Sequence, residues 1–206
     1  MLPCPLLKIL ISSRNKHKIE EIKNFFKDFK DIEFLSLEDI SLDIQIEETG
    51  KTLLENALIK AKKVHEITGM PVISDDSGIF IEALGGFPGV HSAEFQKGNP
   101  DYLEKILELM KDKENRSAYF HCVIVFINNN GESHVFEGKV EGEIGFQIRG
   151  DKGFGYDPIF YYKPIGKTFG EIEMEVKNKI SHRAIALKKL RDFLSLKFED
   201  EGNKYF

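Results

Sequence analysis

The sequence predicts an α/β or α+β fold built on a mixed β-sheet. Three observations support this. Apolar runs of strand length are interspersed with stretches whose apolar residues recur at helical spacing. Two of the strand-like runs follow one another directly, joined by a turn at Asn128-Asn129-Asn130-Gly131. Strict strand–helix alternation, the pattern of a doubly wound parallel sheet, is therefore absent.

The elements follow in order. Leu6 to Ile11 reads as a buried first strand, and Ser12 to Lys18 as a polar turn. Ile19, Ile22, Phe26 and Phe29 then fall at helical spacing, so the turn sits at a helix N-terminus, where free backbone N–H groups suit phosphate. A second helix is predicted over Leu53 to Thr68. Thr52 and Glu55 form a capping box, and Gly69 and Pro71 end the helix. Pro71 to Ser74 is read as a short strand, Asp75 to Gly78 as a break, and Ile79 to Ile81 as a further strand. Gly85-Gly86-Phe87-Pro88-Gly89 is a tight loop. Asn99-Pro100 opens a third helix through Met110. Strands are expected at Ser117 to Ile127, His134 to Val140 and Gly142 to Ile148, followed by a glycine-rich loop from Gly150 to Tyr156. Ala184, Leu187, Leu190 and Leu194 mark a closing helix, and the charged stretch from Phe198 to Phe206 is expected to fray.

Composition narrows the function classes. The chain has 206 residues, 41% of them hydrophobic, enough for one large domain or two tightly joined lobes over residues 1–206. With a net charge of −5, no bulk field favours a nucleic acid backbone or an anionic membrane. An anionic ligand must be held by local cations or a metal. Two cysteines, Cys4 and Cys122, make no disulfide framework, and Cys122 lies in an apolar run that predicts burial. The apolar start, Met1 to Ile11, is too short to span a bilayer and has no basic leading segment, so a cytoplasmic protein is expected.

Several segments carry chemistry. In Ser74-Asp75-Asp76-Ser77-Gly78, two adjacent carboxylates repel each other, and a bound Mg²⁺ would relieve that repulsion. A solvated Asx turn fits the same residues equally well. Glu47-Glu48-Thr49-Gly50 is a second acidic pair, before the capped helix; alone it reads as a solvated face. Ser13 to Lys18 offers hydroxyl, amide and ammonium groups for phosphate, or simply a solvated helix start. Of Lys60, Lys62 and Lys63, two are expected only to solvate their helix. Phe154-Gly155-Tyr156-Asp157-Pro158 is either a stacking loop for a base or a core-filling corner. Lys177 to Arg183 places cations near a helix start, which is locally unfavourable without an acceptor. Gly50-Lys51-Thr52 and Gly166-Lys167-Thr168 imitate the end of a P-loop, but Gln45 and Tyr161 stand where its first glycine belongs.

In order and spacing, these segments resemble the inosine/xanthosine triphosphate pyrophosphatases, the Ham1-like non-standard purine family. The likeness runs from about Lys8 to Leu194. It rests on Ser13-x-Asn15-x-x-Lys18, Glu47 to Gly50, Glu55-Asn56-Ala57, Ser74 to Gly78, Ala83 to Gly89, Phe154 to Pro158 and Lys177-Asn178-x-x-Ser181-His182-Arg183. The resemblance implies a purine nucleotide held in a central cleft between two lobes of a long, twisted mixed sheet flanked by helices. It also implies a homodimer and hydrolysis to monophosphate and pyrophosphate. Glu47 and Asp76 match magnesium positions, with Asp75 beside them, and Asp76 also matches the proton acceptor. Ser13, Asn15, Lys18, Lys60 and Ser77 match phosphate-side positions. Phe154, Gly155, Tyr156, Asp157, Lys177, His182 and Arg183 match base-side positions. The chain departs from the pattern at His91 and Glu94, where bacterial members usually carry tyrosine and arginine. The rival expectations are a catalytically idle nucleotide-binding protein, disfavoured by retention of Glu47, Asp75 and Asp76, and a single-stranded nucleic acid binder, disfavoured by the negative charge.

Overall fold

A computed structural model describes residues 6–201, with side chains to residue 197, so Cys4 and the end of the expected tail lie outside the described residues. Strand β1 (Leu7–Ile11) pairs in parallel with β2 (Ile32–Ser36), Leu7 opposite Ile32, and with β3 (Val72–Ile81), Leu10 opposite Val72. Ile9, Leu10 and Ile11 are all fully buried, as expected for an inner strand of a parallel region. The short strand β2 was not anticipated. It lies at the edge of the sheet, and its mixture of apolar residues with Glu33 gives little pattern.

Helix α1 (Lys16–Phe25) is capped by Asn15, whose Oδ1 accepts from the backbone N–H of His17 and Lys18. It ends before Phe26 and Phe29; Phe26 instead stacks on Phe34 at 4.4 Å. Helix α2 (Leu53–Thr68) has both predicted ends. Thr52 Oγ1 accepts from Glu55 N, Glu55 Oε2 accepts from Thr52 N, and Gly69 closes the helix at φ 64°. That left-handed geometry is open to glycine at little cost.

Strand β3 corrects the sequence expectation. Asp75 to Gly78 is not a break: the strand runs unbroken from Val72 to Ile81 through both aspartates. Gly78 is required by packing rather than by a turn, since a Cβ there would stand 2.1 Å from the Gly89 carbonyl oxygen. Strand β4 (Ser117–Ile127) has the predicted ends, and β5 (Ser133–Ile144) is one strand where two were expected. Short strands β6 (Phe160–Tyr162) and β7 (Lys167–Thr168), not anticipated, complete the order β2-β1-β3-β4-β5-β6-β7. β5, β6 and β7 are antiparallel neighbours, so the sheet is mixed.

Two further helices precede β4. α3 (Ser92–Gly98) was not anticipated, and α4 (Tyr102–Leu109) begins after the expected Asn99-Pro100 start. Asn99 does not cap α4; its side chain donates to Phe95 O and accepts from Lys105. The chain then ends with α5 (Met174–Ile180) and α6 (His182–Glu201). Residues 198–201, expected to fray, continue α6. No helix among the described residues is long and apolar enough to cross a membrane.

The chain divides into two compact units. One comprises the chain through Asp76, Val123–Glu137 and the chain from Ala186; the other comprises Ser77–Cys122 and Gly138–Ile185. The first buries Ile9, Ile11, Ala57, Val64, Ile73, Leu187, Leu190 and Leu194. The second buries Ile79, Ile81, Phe120, Val140, Phe160 and Phe169. β4 records the change of environment. Its burial alternates through Ser117–His121 and then becomes continuous from Cys122, as a strand does on going from one covered face to two.

Arg116 fastens the second unit. It is 8% exposed, and its guanidinium donates to Ile144 O at 2.6 Å, Met110 O at 2.9 Å and Gly145 O at 2.5 Å. Arg116→Met removes three charge-assisted bonds and should cost about 3 kcal/mol. For a chain of this size, the thermal midpoint should fall by roughly 6–12 °C. Arg116→Lys, lacking the planar fork, should recover less than half of that. A midpoint within about 2 °C of wild type for Arg116→Met would show that these bonds carry no net stability.

Candidate active site

In the first unit, β1, α1, α2 and β3 bring together four side chains of opposite charge. Ser12, just past β1, donates from Oγ to Lys60 O at 3.0 Å, and Ser74 on β3 donates from Oγ to Ala57 O. These bonds hold one face of α2 against the end of β1 and against β3. Asn56 and Lys60 lie four residues apart on that face. Asn56 Nδ2 donates to Asp76 Oδ2 at 3.3 Å, and Lys60 Nζ donates to Asp76 Oδ1 at 3.1 Å. The same ammonium stands 2.7 Å from Glu48 Oε2. Lys18, from the first turn of α1, places Nζ 3.1 Å from Asp75 Oδ2.

All but Glu48 of this set is largely withdrawn from water; Asp75 and Asp76 are 2% and 7% exposed. Burial pushes the Asp76 carboxyl above the ordinary carboxylate value, against the opposing pull of Lys60 and Lys18. Burial also works against the charge on Lys60, but Asp76, Glu48 and Asp75 outweigh it, and its pKa stands above the usual lysine value. The result is a carboxylate of heightened basicity beside a persistent cation.

In the second unit, the loop after β5 packs against α5 and the start of α6. Asp157 Oδ2 accepts from Phe154 N at 2.8 Å and from Lys177 Nζ at 2.5 Å. The Lys177 and Asp157 side chains are only 2% and 3% exposed. Gly153, at φ 72°, is needed here: a Cβ would lie 2.1 Å from Asp157 Oδ2. Lys177 Nζ stands 4.5 Å from the centre of the half-buried Phe154 ring, and Arg183 Cζ stands 5.6 Å from it. Arg183 Nη2 donates to Ser77 Oγ at 3.0 Å. Ser181 Oγ caps α6 by accepting from Ala184 N, and the His182 ring stacks on Phe120 at 4.7 Å. Tyr156 donates to Ser92 O at 2.8 Å, and burial drives its phenol pKa upward.

The residues singled out from sequence therefore fall into two sets. Lys18, Lys60, Asp75 and Asp76 meet in the first unit, with Ser13 and Asn15 at the head of α1, where Ser13 Oγ accepts from Asn15 N. Ser77, Phe154, Gly155, Tyr156, Asp157, Lys177, His182 and Arg183 belong to the second. One peptide bond, Asp76–Ser77, joins the sets along β3. Glu47 is exposed and borders a cavity with Ile59, Lys62, Lys63 and Glu66 on another face of α2; its neighbour Glu48 is the residue on Lys60. Glu94 is exposed and pairs with His91 at 2.8 Å. Sequence reasoning assigned no role to Glu48 or to Asn56, although both stood within quoted motifs. The cations of 177–183 do lie near a helix start, since His182 and Arg183 open α6, but Lys177 lies in the last turn of α5, where a cation is favourable.

The donor set bears on the Mg²⁺ expected from the sequence. Among the described residues, no three or more histidines, cysteines or acids are grouped to hold a metal ion. Magnesium on a polyphosphate needs fewer, usually one or two carboxylates plus phosphate oxygens. Asp76 and Glu48 supply hard oxygens that already share one cation, the Lys60 ammonium. In donor chemistry the residues fit.

Residues 9–193 match the Ham1 family. A dITP/XTP pyrophosphatase of Thermoanaerobacter sp. is 46% identical over 200 residues, spanning 95% of this chain and 100% of the relative. One from Dictyoglomus thermophilum is 48% identical over 193 residues, spanning 90% and 93%. Among solved structures, a HAM1 protein from Coxiella burnetii aligns with a TM-score of 0.84 at 40% identity, covering 92% of this chain and 99% of that one.

Proposed function

Because this chain belongs to the Ham1 family, we propose that it hydrolyses non-standard purine nucleoside triphosphates, those of inosine, deoxyinosine and xanthosine, to the monophosphate and pyrophosphate. One observation carries the reading. A buried, raised-pKa carboxylate, Asp76, lies beside two lysines, and the next residue of the strand, Ser77, accepts from a buried arginine above an aromatic ring. β3 thus carries the means of hydrolysis and the means of purine recognition on consecutive residues. The names of the relatives at 46% and 48% identity, dITP/XTP pyrophosphatase, support the deoxyinosine and xanthosine substrates.

In this mechanism Asp76 accepts a proton from water, the water oxygen bonds to the α-phosphorus, and the bond from that phosphorus to the β-phosphate bridge breaks. Lys18 and Lys60 turn from their carboxylates toward the triphosphate and stabilise charge on the departing pyrophosphate. Ser13, Asn15 and the first N–H groups of α1 bind phosphate oxygens. Asp76, with Asp75 and a carboxylate of the Glu47–Glu48 loop, would hold Mg²⁺, which when bound neutralises phosphate charge. The reading includes a homodimer and a cytoplasmic place of action.

Selectivity follows from hydrogen-bond donors. Arg183 has donors only, so it can serve the oxygen at purine position 6 but not the amino group of adenine. A buried donor left unpaired makes the wrong base expensive. A panel of kcat/KM values for inosine, xanthosine, guanosine, adenosine and thymidine triphosphates with Mg²⁺ tests this. Inosine and xanthosine should exceed adenosine by at least about 100-fold. Adenosine within tenfold of inosine would sink the assignment, and binding without pyrophosphate release would instead mark a nucleotide-binding protein.

A further inference from the structure

The loop that presents Phe154 is held from both sides. On one side Asp157 accepts from Phe154 N and from Lys177. On the other, the carbonyl that follows Phe154, Gly155 O, accepts a 2.8 Å bond from the hydroxyl of Tyr102. Tyr102 is not part of the loop; it is the first residue of α4. Its ring meets Tyr156 edge to face at 5.2 Å, and Tyr156 in turn donates to Ser92 O on α3. Ser92 is itself fixed, donating from Oγ to Gly89 O and accepting from Ile79 N on β3.

Gly155 gives this anchor something to do. It has φ 61°, and a Cβ there would meet nothing closer than Gln96 Oε1 at 3.7 Å, so packing alone does not set its conformation. A glycine in open space interconverts readily between backbone states. The Tyr102 bond selects one orientation of the Phe154–Gly155–Tyr156 backbone, and with it the place of the Phe154 ring beside Lys177 and Arg183.

We propose that Tyr102 is a positioning residue for base recognition, acting through Gly155 on Phe154 without touching the nucleotide. This rests on the reading of Phe154 and Arg183 as the base-side wall. The test is a double-mutant cycle of Tyr102→Phe and Phe154→Leu, read in KM and kcat for inosine triphosphate and in thermal midpoint. Tyr102→Phe keeps the ring edge to face with Tyr156 and removes only the hydroxyl. Its KM should rise about three- to tenfold, the worth of one hydrogen bond, with kcat within twofold. In the Phe154→Leu background the same change should have almost no further effect on KM, because the ring it positions is gone.

Additive effects in the cycle would overturn the proposal, as would an unchanged KM. A fallen midpoint with KM unaffected would make the hydroxyl a structural bond only. If wild type releases no pyrophosphate from any purine triphosphate, the functional reading fails first. The cycle is then read in calorimetric affinities for inosine triphosphate, with the same pattern expected.

Discussion

Replacing Asp76 by asparagine is expected to lower kcat for inosine triphosphate by about 10³-fold, within the 10²–10⁴ that a positioned general base supplies. KM should change far less. The asparagine keeps the shape of the side chain and one oxygen able to accept from Lys60 or Asn56, so phosphate-side binding survives while the proton acceptor does not. Two controls separate chemistry from folding. Asp76→Asn should melt close to wild type, because Lys60 retains Glu48 as a partner. Asn56→Ala, which removes a donor to Asp76 but not the carboxylate, should lose much less turnover. Near-wild-type kcat in Asp76→Asn would remove this residue from the proton transfer.

Lys177→Met is expected to be the most destabilising single change in the proposed base-side wall. Lys177 and Asp157 are a buried ion pair at 2.5 Å, and both side chains are almost wholly withdrawn from water. Removing one partner of such a pair leaves an uncompensated buried charge and costs about 3–5 kcal/mol. In a chain of this size the thermal midpoint should fall by roughly 6–20 °C. The double variant Lys177→Met/Asp157→Asn should regain at least half of the loss, since a neutral asparagine needs no counter-ion and still accepts from Phe154 N. A Lys177→Met protein with an unchanged midpoint would mean that solvent or another group satisfies Asp157. The pair also explains how cations can gather at 177–183 without a ligand present: an acceptor is built into the chain.

How far the sequence revealed this arrangement depended on whether the deciding interaction was local. Both ends of α2 were legible because Thr52, Glu55 and Gly69 act within one turn of the helix. The α6 stripe of Ala184, Leu187, Leu190 and Leu194 was legible for the same reason, and all four are buried. Asp75 to Gly78 misled because adjacent aspartates and a glycine ordinarily break a strand. Here lysines from α1 and α2 offset the carboxylates, and the glycine answers a close approach by Gly89. Glu47 and Glu48 cannot be ranked from composition; only the position of Lys60 shows that Glu48 is the one that shares its ammonium with Asp76. Strands β6 and β7 have three residues or fewer, too short for a periodicity to register, and β2, as short as β1, mixes Glu33 among its apolar residues. The resemblance to the Ham1-like family supplied what spacing could not, namely the expectation that segments scattered from Ser13 to Arg183 serve one function.

The central claim, attack of water at the α-phosphorus, is tested most directly by hydrolysing inosine triphosphate with Mg²⁺ in oxygen-18 water and locating the label by mass spectrometry. The account predicts one labelled oxygen in inosine monophosphate, unlabelled pyrophosphate in equal amount, and no orthophosphate. Label in orthophosphate, with inosine diphosphate as the other product, would contradict it.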